Sequence, residues 1–297
     1  MPVSKIIAIW GSSNSGKTTL SMKLAKMLSK NNNVMMLFTY IVAPSMGVVL
    51  LFVKEEDKSL GNLLEMVTLT QEDILKNLLT MKDNKNIAFL GYRQSENIVS
   101  YADYTEYRAN ELIVNLSQVV DYLIIDVSSI IHLNSLSKAS LKLADQVIRL
   151  CGSDLKAVSY FKSTLPLLSD KSYNLNNHIK VLSKIDESEP RAMILNHYAG
   201  IDYELMYLDE IVGQYREGLL LNTLKEKNSL RYNANLEKLL SIISDEKIET
   251  EQTKKTVKKY KEKSKKKRIA PKQLSIKIRE SLSNLRRKKE KEQDDYE

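Results

Sequence analysis

The chain has 297 residues, 43% hydrophobic and 28% charged, enough for one large α/β domain of about 200–250 residues with a sizeable core and an appendage. A wholly disordered chain is thereby excluded; the single cysteine, Cys151, excludes an internal disulfide and, with no Cys/His cluster, a zinc-ligand pattern. The net charge of +8 is uneven: from Glu251 onward stand 18 Lys+Arg against 8 Asp+Glu, while residues 1–250 hold 27 against 29, so a near-neutral body carries a basic tail.

The elements follow as short apolar runs alternating with helical patterns. After four residues the chain enters "KIIAIW" (Lys5–Trp10), with no basic segment and long apolar core ahead of it. Leu20, Leu24, Met27 and Leu28 then recur at helical spacing, and Asn31, Asn32 and Asn33 supply a stop. Next come "VMMLFT" (Val34–Thr39), "NIAFLG" (Asn86–Gly91), a helix carrying Leu112, Leu116 and Val119, and "YLIIDV" (Tyr122–Val127). "QVIRL" (Gln146–Leu150), "HIKVLS" (His178–Ser183) and a weaker "YELMYL" (Tyr203–Leu208) complete the series. Uninterrupted apolar strands fit burial on both faces, so the fold class expected is α/β: a doubly wound, mostly parallel sheet with helices on either side. The longest apolar run, around residues 47–53, is too short to cross a bilayer, and we expect a cytoplasmic protein, peripheral at a membrane if it meets one.

One segment carries chemistry. Gly11, Gly16, Lys17 and Thr18 satisfy G-x-x-x-x-G-K-[ST] between a buried-type strand and an amphipathic helix, the context a phosphate-binding P-loop requires. The backbone of Gly11, Ser12, Ser13, Asn14, Ser15 and Gly16 can wrap a phosphate with its N–H groups inward, and the helix starting at Lys17, Thr18 and Thr19 adds its positive end. Lys17 would reach the β/γ-phosphates and the Thr18 hydroxyl would ligate Mg²⁺. Asp126, closing "YLIIDVSS", is the candidate second metal group, although an Asp that merely caps a strand end is commonplace.

Taken with "VDYLIIDVSS", "LADQVIRLCGSDLKAVSYF" and "YLDEIVGQYREGLLL", the P-loop resembles the ParA/MinD group of P-loop ATPases, nearest to its pilus-associated CpaE/TadZ-like branch, over roughly residues 3–240. The resemblance implies ATP and Mg²⁺ as ligands, Asp126 as the Walker B carboxylate, a possible homodimer, and a role in localising or assembling a membrane-associated machine such as a pilus or secretion apparatus. Two departures stand out. The family's signature lysine after the first P-loop glycine is here Ser12, and the family's water-positioning Asp at the end of the second strand is here Tyr40, preceded by Thr39. None of these can act as a carboxylate base, so binding is expected and turnover is expected to be slow or absent.

Other features divide between function and scaffold. Arg93, in a tyrosine-rich loop with Tyr92, Tyr101, Tyr104, Tyr107 and Arg108, could face phosphate or a partner, or simply sit in a solvated loop packed on tyrosines. Asp154 and Lys156 follow the fifth strand and rank below it; Asp103 is a stand-in base only if the protein is a competent DNA-segregation ATPase. His132, His178 and His197 lack metal-ligand spacing and read as scaffold, and Cys151 as a small buried apolar residue. The expected domains are 1–245 for the nucleotide-binding body, 246–270 for a Lys-rich linker, and 271–297 for a basic amphipathic helix and tail with Leu274, Ile278, Leu282 and Leu285 on one stripe. That helix suits a partner protein or an anionic membrane surface first, and nucleic acid or its own domain after them. A scaffold of the same fold that binds no nucleotide is a third possibility.

Overall fold

The computed structural model describes residues 4–51, 57–186 and 194–245. Among these described residues eight strands form one sheet: β1 (Lys5–Gly11), β2 (Val34–Phe38), β3 (Leu79–Met81), β4 (Asn84–Leu90), β5 (Tyr122–Asp126), β6 (Gln146–Gly152), β7 (Ile179–Ile185) and β8 (Tyr203–Met206). Their order across the sheet is β3-β4-β2-β5-β1-β6-β7-β8, parallel throughout except for β3 against β4. The helices are α1 (Lys17–Leu28), α2 (Met46–Val49), α3 (Leu60–Glu65), α4 (Gln71–Lys76), α5 (Glu106–Ser117), α6 (Ser135–Leu143), α7 (Leu155–Thr164), α8 (Asp209–Arg216) and α9 (Leu230–Asp245). The doubly wound α/β fold read from the apolar runs is therefore the fold observed.

The sheet is central because its strands are apolar on both faces. Along β1, Ile6, Ala8 and Trp10 join the core that includes Leu112 and Leu116 of α5, Leu136 of α6 and Phe161 of α7. Ile7 and Ile9 point the other way, into a core shared with Leu20, Leu24 and Leu28 of α1 and Leu236, Leu239 and Ile243 of α9. The Asn run ends α1 by direct capping: Asn32 Nδ2 donates to the Leu28 carbonyl at 2.9 Å, and Asn33 N–H to Asp121 Oδ2 at 2.8 Å, where β5 begins.

Seven of the eight strands coincide with the apolar runs, with ends shifted by one or two residues. The eighth, β3, is a three-residue antiparallel edge strand with an irregular register against β4, and no apolar run announces it. Cys151 is buried in β6, where burial pushes its thiol up to about 12. The linker and tail expected at 246–270 and 271–297, with Leu274, Ile278, Leu282 and Leu285, lie outside the described residues. Among the described residues no helix is long and apolar enough to cross a membrane.

Candidate functional site

The chain goes from β1 out to β2 and β4, then returns to insert β5 beside β1 and continues on the other side with β6. Strand order reverses there, and the loops beyond the carboxyl ends of β1 and β5 flank the resulting crevice. Parallel register sets Ile9 beside Asp126, so the P-loop and the end of β5 emerge together.

The loop is shaped as a phosphate cradle must be. Asn14 and Gly16 both take left-handed backbone, at φ 60° and 90°, and Gly16 caps α1 in that conformation. At Gly11 a Cβ would fall 2.3 Å from the Leu150 carbonyl oxygen, so only glycine permits β1 to pass β6 this closely. Inside the loop Ser15 Oγ donates to the Ser12 carbonyl at 2.9 Å, and Ser183 Oγ, from β7, donates to the Ser15 carbonyl at 2.7 Å.

Lys17 folds back over this loop. Its Nζ donates to the carbonyls of Gly11 (3.3 Å) and Ser12 (2.8 Å) and to Ser129 Oγ (2.8 Å). Desolvation lowers its pKa to about 8, opposed by the attraction of Asp126 and assisted by the repulsion of Lys184. Thr18 Oγ1 donates to Asp126 Oδ2 at 2.5 Å, and burial raises the Asp126 carboxyl to about 6 against the pull of Lys17 and Thr18. A hydroxyl and a carboxylate in contact at a helix start, beside a cation held by loop carbonyls, fit a Mg²⁺-phosphate ligand. Thr18 and Asp126 would hold the metal, and Lys17 would neutralise the charge of the bound phosphates. Among the described residues no group of three or more His, Cys, Asp or Glu gathers around a common point.

The two departures are visible in three dimensions. Ser12 is buried, 6% exposed, with its carbonyl serving Lys17 and Ser15, and it brings no charge. At the end of β2, Thr39 is fully buried and acts as a splice: its Oγ1 accepts from Ser128 N–H at 2.9 Å and lies within reach of the Asp126 carbonyl (3.3 Å) and Ser137 Oγ (3.1 Å). Asn134 Nδ2 adds a bond to the Thr39 carbonyl at 3.1 Å. Tyr40 follows half-buried. The second strand thus reaches the crevice through hydrogen bonds and a phenol, with no carboxylate.

Arg93 is not brought to the phosphate loop. Its Nε pairs with Glu96 Oε1 at 2.7 Å and its guanidinium reaches Asp57 at 3.5 Å; Glu96, buried, also accepts from Ser59 Oγ (2.7 Å) and Tyr101 OH (2.5 Å). The charge is spent inside the tyrosine-rich loop, and the scaffold alternative holds. Asp154 is the cap of α7, accepting from Ala157 N–H at 2.8 Å, and Lys156 is exposed on that helix. His178 is buried between Trp10 Nε1 (3.3 Å) and the Tyr173 carbonyl (2.8 Å), a scaffold position. Sequence reasoning missed Ser129 and Ser183 and the splice made by Thr39; Ser129 and Thr39 are small hydroxyl residues just beyond strand ends, and Ser183 sits within β7, where nothing in the apolar run marks it.

No protein-family model and no curated protein matches this chain. Solved structures do. The septum site-determining protein MinD of Pyrococcus horikoshii, complexed with Mg-ADP, superposes with a TM-score of 0.61 at 17% identity over 82% of this chain and 96% of its own. A ParA-family ATPase from Chlorobium tepidum gives 0.64 at 12% identity, over 81% and 98%. A McdA variant from Cyanothece in complex with ATP gives 0.54 at 17%, over 91% and 100%. At these identities the likeness establishes the fold, which is that of ParA/MinD-type P-loop ATPases.

Proposed function

We propose that this chain is a ParA/MinD-like nucleotide switch: it binds a Mg²⁺-nucleoside triphosphate at the P-loop, turns it over slowly or not at all, and couples occupancy to assembly with a partner. The observation that carries it is the contrast within one site. Lys17 over the loop and Thr18 in contact with Asp126 support phosphate and metal binding there, while the neighbouring positions that would hasten hydrolysis hold Ser12, Thr39 and Tyr40. Affinity comes from the cradle and the metal, whereas rate depends on placing water and neutralising transition-state charge. The nucleotides carried by the MinD and McdA structures support ATP, and their fold supports dimerisation and positioning roles. The resemblance to the CpaE/TadZ-like branch and the basic tail support a membrane-associated machine as the partner, in the cytoplasm or at the membrane surface.

The phosphate cradle is blind to the base, so the test is calorimetric titration of the full chain with ATP and GTP, each with Mg²⁺, alongside a phosphate-release assay. Binding with turnover far below about 1 s⁻¹ is expected. Rapid hydrolysis abolished by Lys17→Ala would overturn the slow-switch reading, and no binding of either nucleotide would select a scaffold. Salt-sensitive DNA binding lost on deleting residues 251–297 would favour a segregation role instead.

A further inference from the structure

Charge and exposed apolar surface are unevenly spread over this molecule, and their distribution marks a seat for its own tail. We propose that residues 271–291 dock on the lobe formed by α3, the loop after β4 and the first turn of α5. The inference goes beyond the switch reading and does not depend on nucleotide binding.

The lobe is built as one surface. Glu65 Oε1, at the end of α3, accepts from Ala102 N–H at 3.0 Å, and Tyr101, packed over Gly61, donates its hydroxyl to Glu96 Oε1 at 2.5 Å. Arg108 Nη2, in the first turn of α5, donates to the carbonyls of Met66 and Val67, the latter at 2.7 Å. Large apolar side chains stand out to solvent across it: Val67 (92% exposed), Val99 (86%), Ile98 (64%) and Tyr107 (52%). Ile98 and Val99 occupy the middle of a turn closed by Asn97, whose Oδ1 accepts from Val99 N–H at 3.0 Å and whose N–H donates to Ser100 Oγ at 2.9 Å. Turn centres usually hold Gly, Asn, Asp or Ser. Two β-branched residues held out on a preformed turn cost little further ordering when a partner covers them.

The same surface is acidic. Residues 57–80 and 86–111 carry eight Asp and Glu against four Lys and Arg. Each of the four bases is engaged locally: Lys58 with the Leu78 carbonyl (3.0 Å), Lys76 with Glu72 (2.9 Å), Arg93 with Glu96 (2.7 Å) and Arg108 with Glu111 (2.8 Å). The segment that covers this lobe must therefore be apolar along one side and cationic at its margins.

Residues 271–291 meet that description. Their sequence puts Leu274, Ile278, Leu282 and Leu285 on one helical stripe, with eight Lys and Arg against two Glu. They can also reach. α9 runs back against β8: Arg231 and Asn235 meet Glu204, and Lys238 lines a cavity with Asp202, so the described chain ends, at Asp245, toward the amino end of the sheet. The 25 residues of 246–270 can span up to about 80 Å, against a domain roughly 45 Å across. A tethered segment meets its site at about millimolar effective concentration, so a contact weak between separate molecules suffices within one chain. The lobe also adjoins the crevice, since Tyr104 OH bonds Asn134 Oδ1 at 3.3 Å and Asn134 bonds the Thr39 carbonyl. Docked there, the tail withholds its apolar stripe from membranes and from other proteins.

The test introduces pairs of cysteines into the full chain and reads the effective concentration of each pair against reduced and oxidised glutathione. Thr68→Cys, exposed beside Val67 on the lobe, and Lys85→Cys, exposed near the start of β4 at the amino end of the sheet, are each combined with Ser281→Cys on the flank of the tail stripe. The native Cys151 is buried and does not compete. Docking predicts an effective concentration at least about tenfold higher for the Thr68/Ser281 pair than for the Lys85/Ser281 pair. It also predicts a fall of about tenfold for the lobe pair when Val67→Ser and Val99→Ser remove the apolar seat, or when Asp103→Lys reverses a charge on it. These substitutions fall on exposed side chains, and an unchanged melting temperature checks that the fold is kept. Equal values at the two positions, or a lobe pair indifferent to the loss of Val67 and Val99, would overturn the seat and leave the lobe to another protein. Cross-links formed only between chains would overturn it in favour of a second copy. None of these results bears on the P-loop reading, which calorimetry with nucleotide decides separately.

Discussion

Replacing Lys17 by Met separates binding from folding, because the two effects have opposite signs. In the ligand-free protein Lys17 is held near a pKa of about 8 against 10.5 when unfolded. Below pH 8 the folded state therefore carries the full cost of confining the charge, and that cost disappears as pH rises through 8 to 10.5, because the unfolded chain holds the proton more tightly there. The shift is worth at most about 3 kcal/mol, less to the extent that water reaches the partly buried chain. Methionine removes this cost and forfeits hydrogen bonds to two carbonyls and to Ser129 that water can replace. Ligand-free Lys17→Met should therefore melt at or above the wild-type temperature at pH 7 and lose the wild type's gain in stability between pH 8 and 10.5. Nucleotide at a hundred times its dissociation constant should raise the wild-type midpoint by about 5–10 °C, from roughly 2.7 kcal/mol of linkage, and leave the variant unmoved. Differential scanning fluorimetry across pH, with and without Mg²⁺-nucleotide, reads both. A variant that melts several degrees low without ligand, or that keeps the nucleotide shift, would refute the reasoning.

Three further outcomes follow from neighbouring contacts. His178, held neutral by burial with its pKa lowered from 6.5 to about 3, binds fewer protons folded than unfolded, so acid from pH 6.5 down to about pH 4 should remove about 3 kcal/mol of stability; His178→Gln should flatten that limb in urea titrations. Gly11→Ala drives a methyl into the Leu150 carbonyl, and an expected loss of about 2–4 kcal/mol with weakened nucleotide binding can be followed by chemical denaturation and calorimetry. Thr39→Val keeps the shape but orphans the Ser128 N–H, and should cost about 1–3 kcal/mol by the same measurement.

The phosphate end of the site was legible because its parts are contiguous: strand, loop and helix start occupy residues 5 to 28 in one run. Asp126 was legible because a buried strand ends on it. The groups that hold these parts together come from far along the chain, as when Ser183 bonds Ser15 or Ser129 bonds Lys17, and a lone serine within or beyond a strand has no periodicity to betray its partner. Arg93 stayed ambiguous for the complementary reason. Its position after the third apolar run suited a phosphate ligand, but Glu96, three residues on, neutralises it locally. The edge strand β3 escaped because three residues cannot show an alternation.

The two ends of the sheet limit how copies of this protein can associate. One edge is the three-residue β3, running against its neighbour, and the other is the four-residue β8, with Asn235 of α9 bonded to its Glu204 carbonyl at 2.8 Å. Short, partly engaged edges make poor templates for adding a strand from a second molecule. A polymer or dimer built from this domain is therefore directed away from sheet extension and onto helix faces or crevice loops, surfaces that a nucleotide can rearrange.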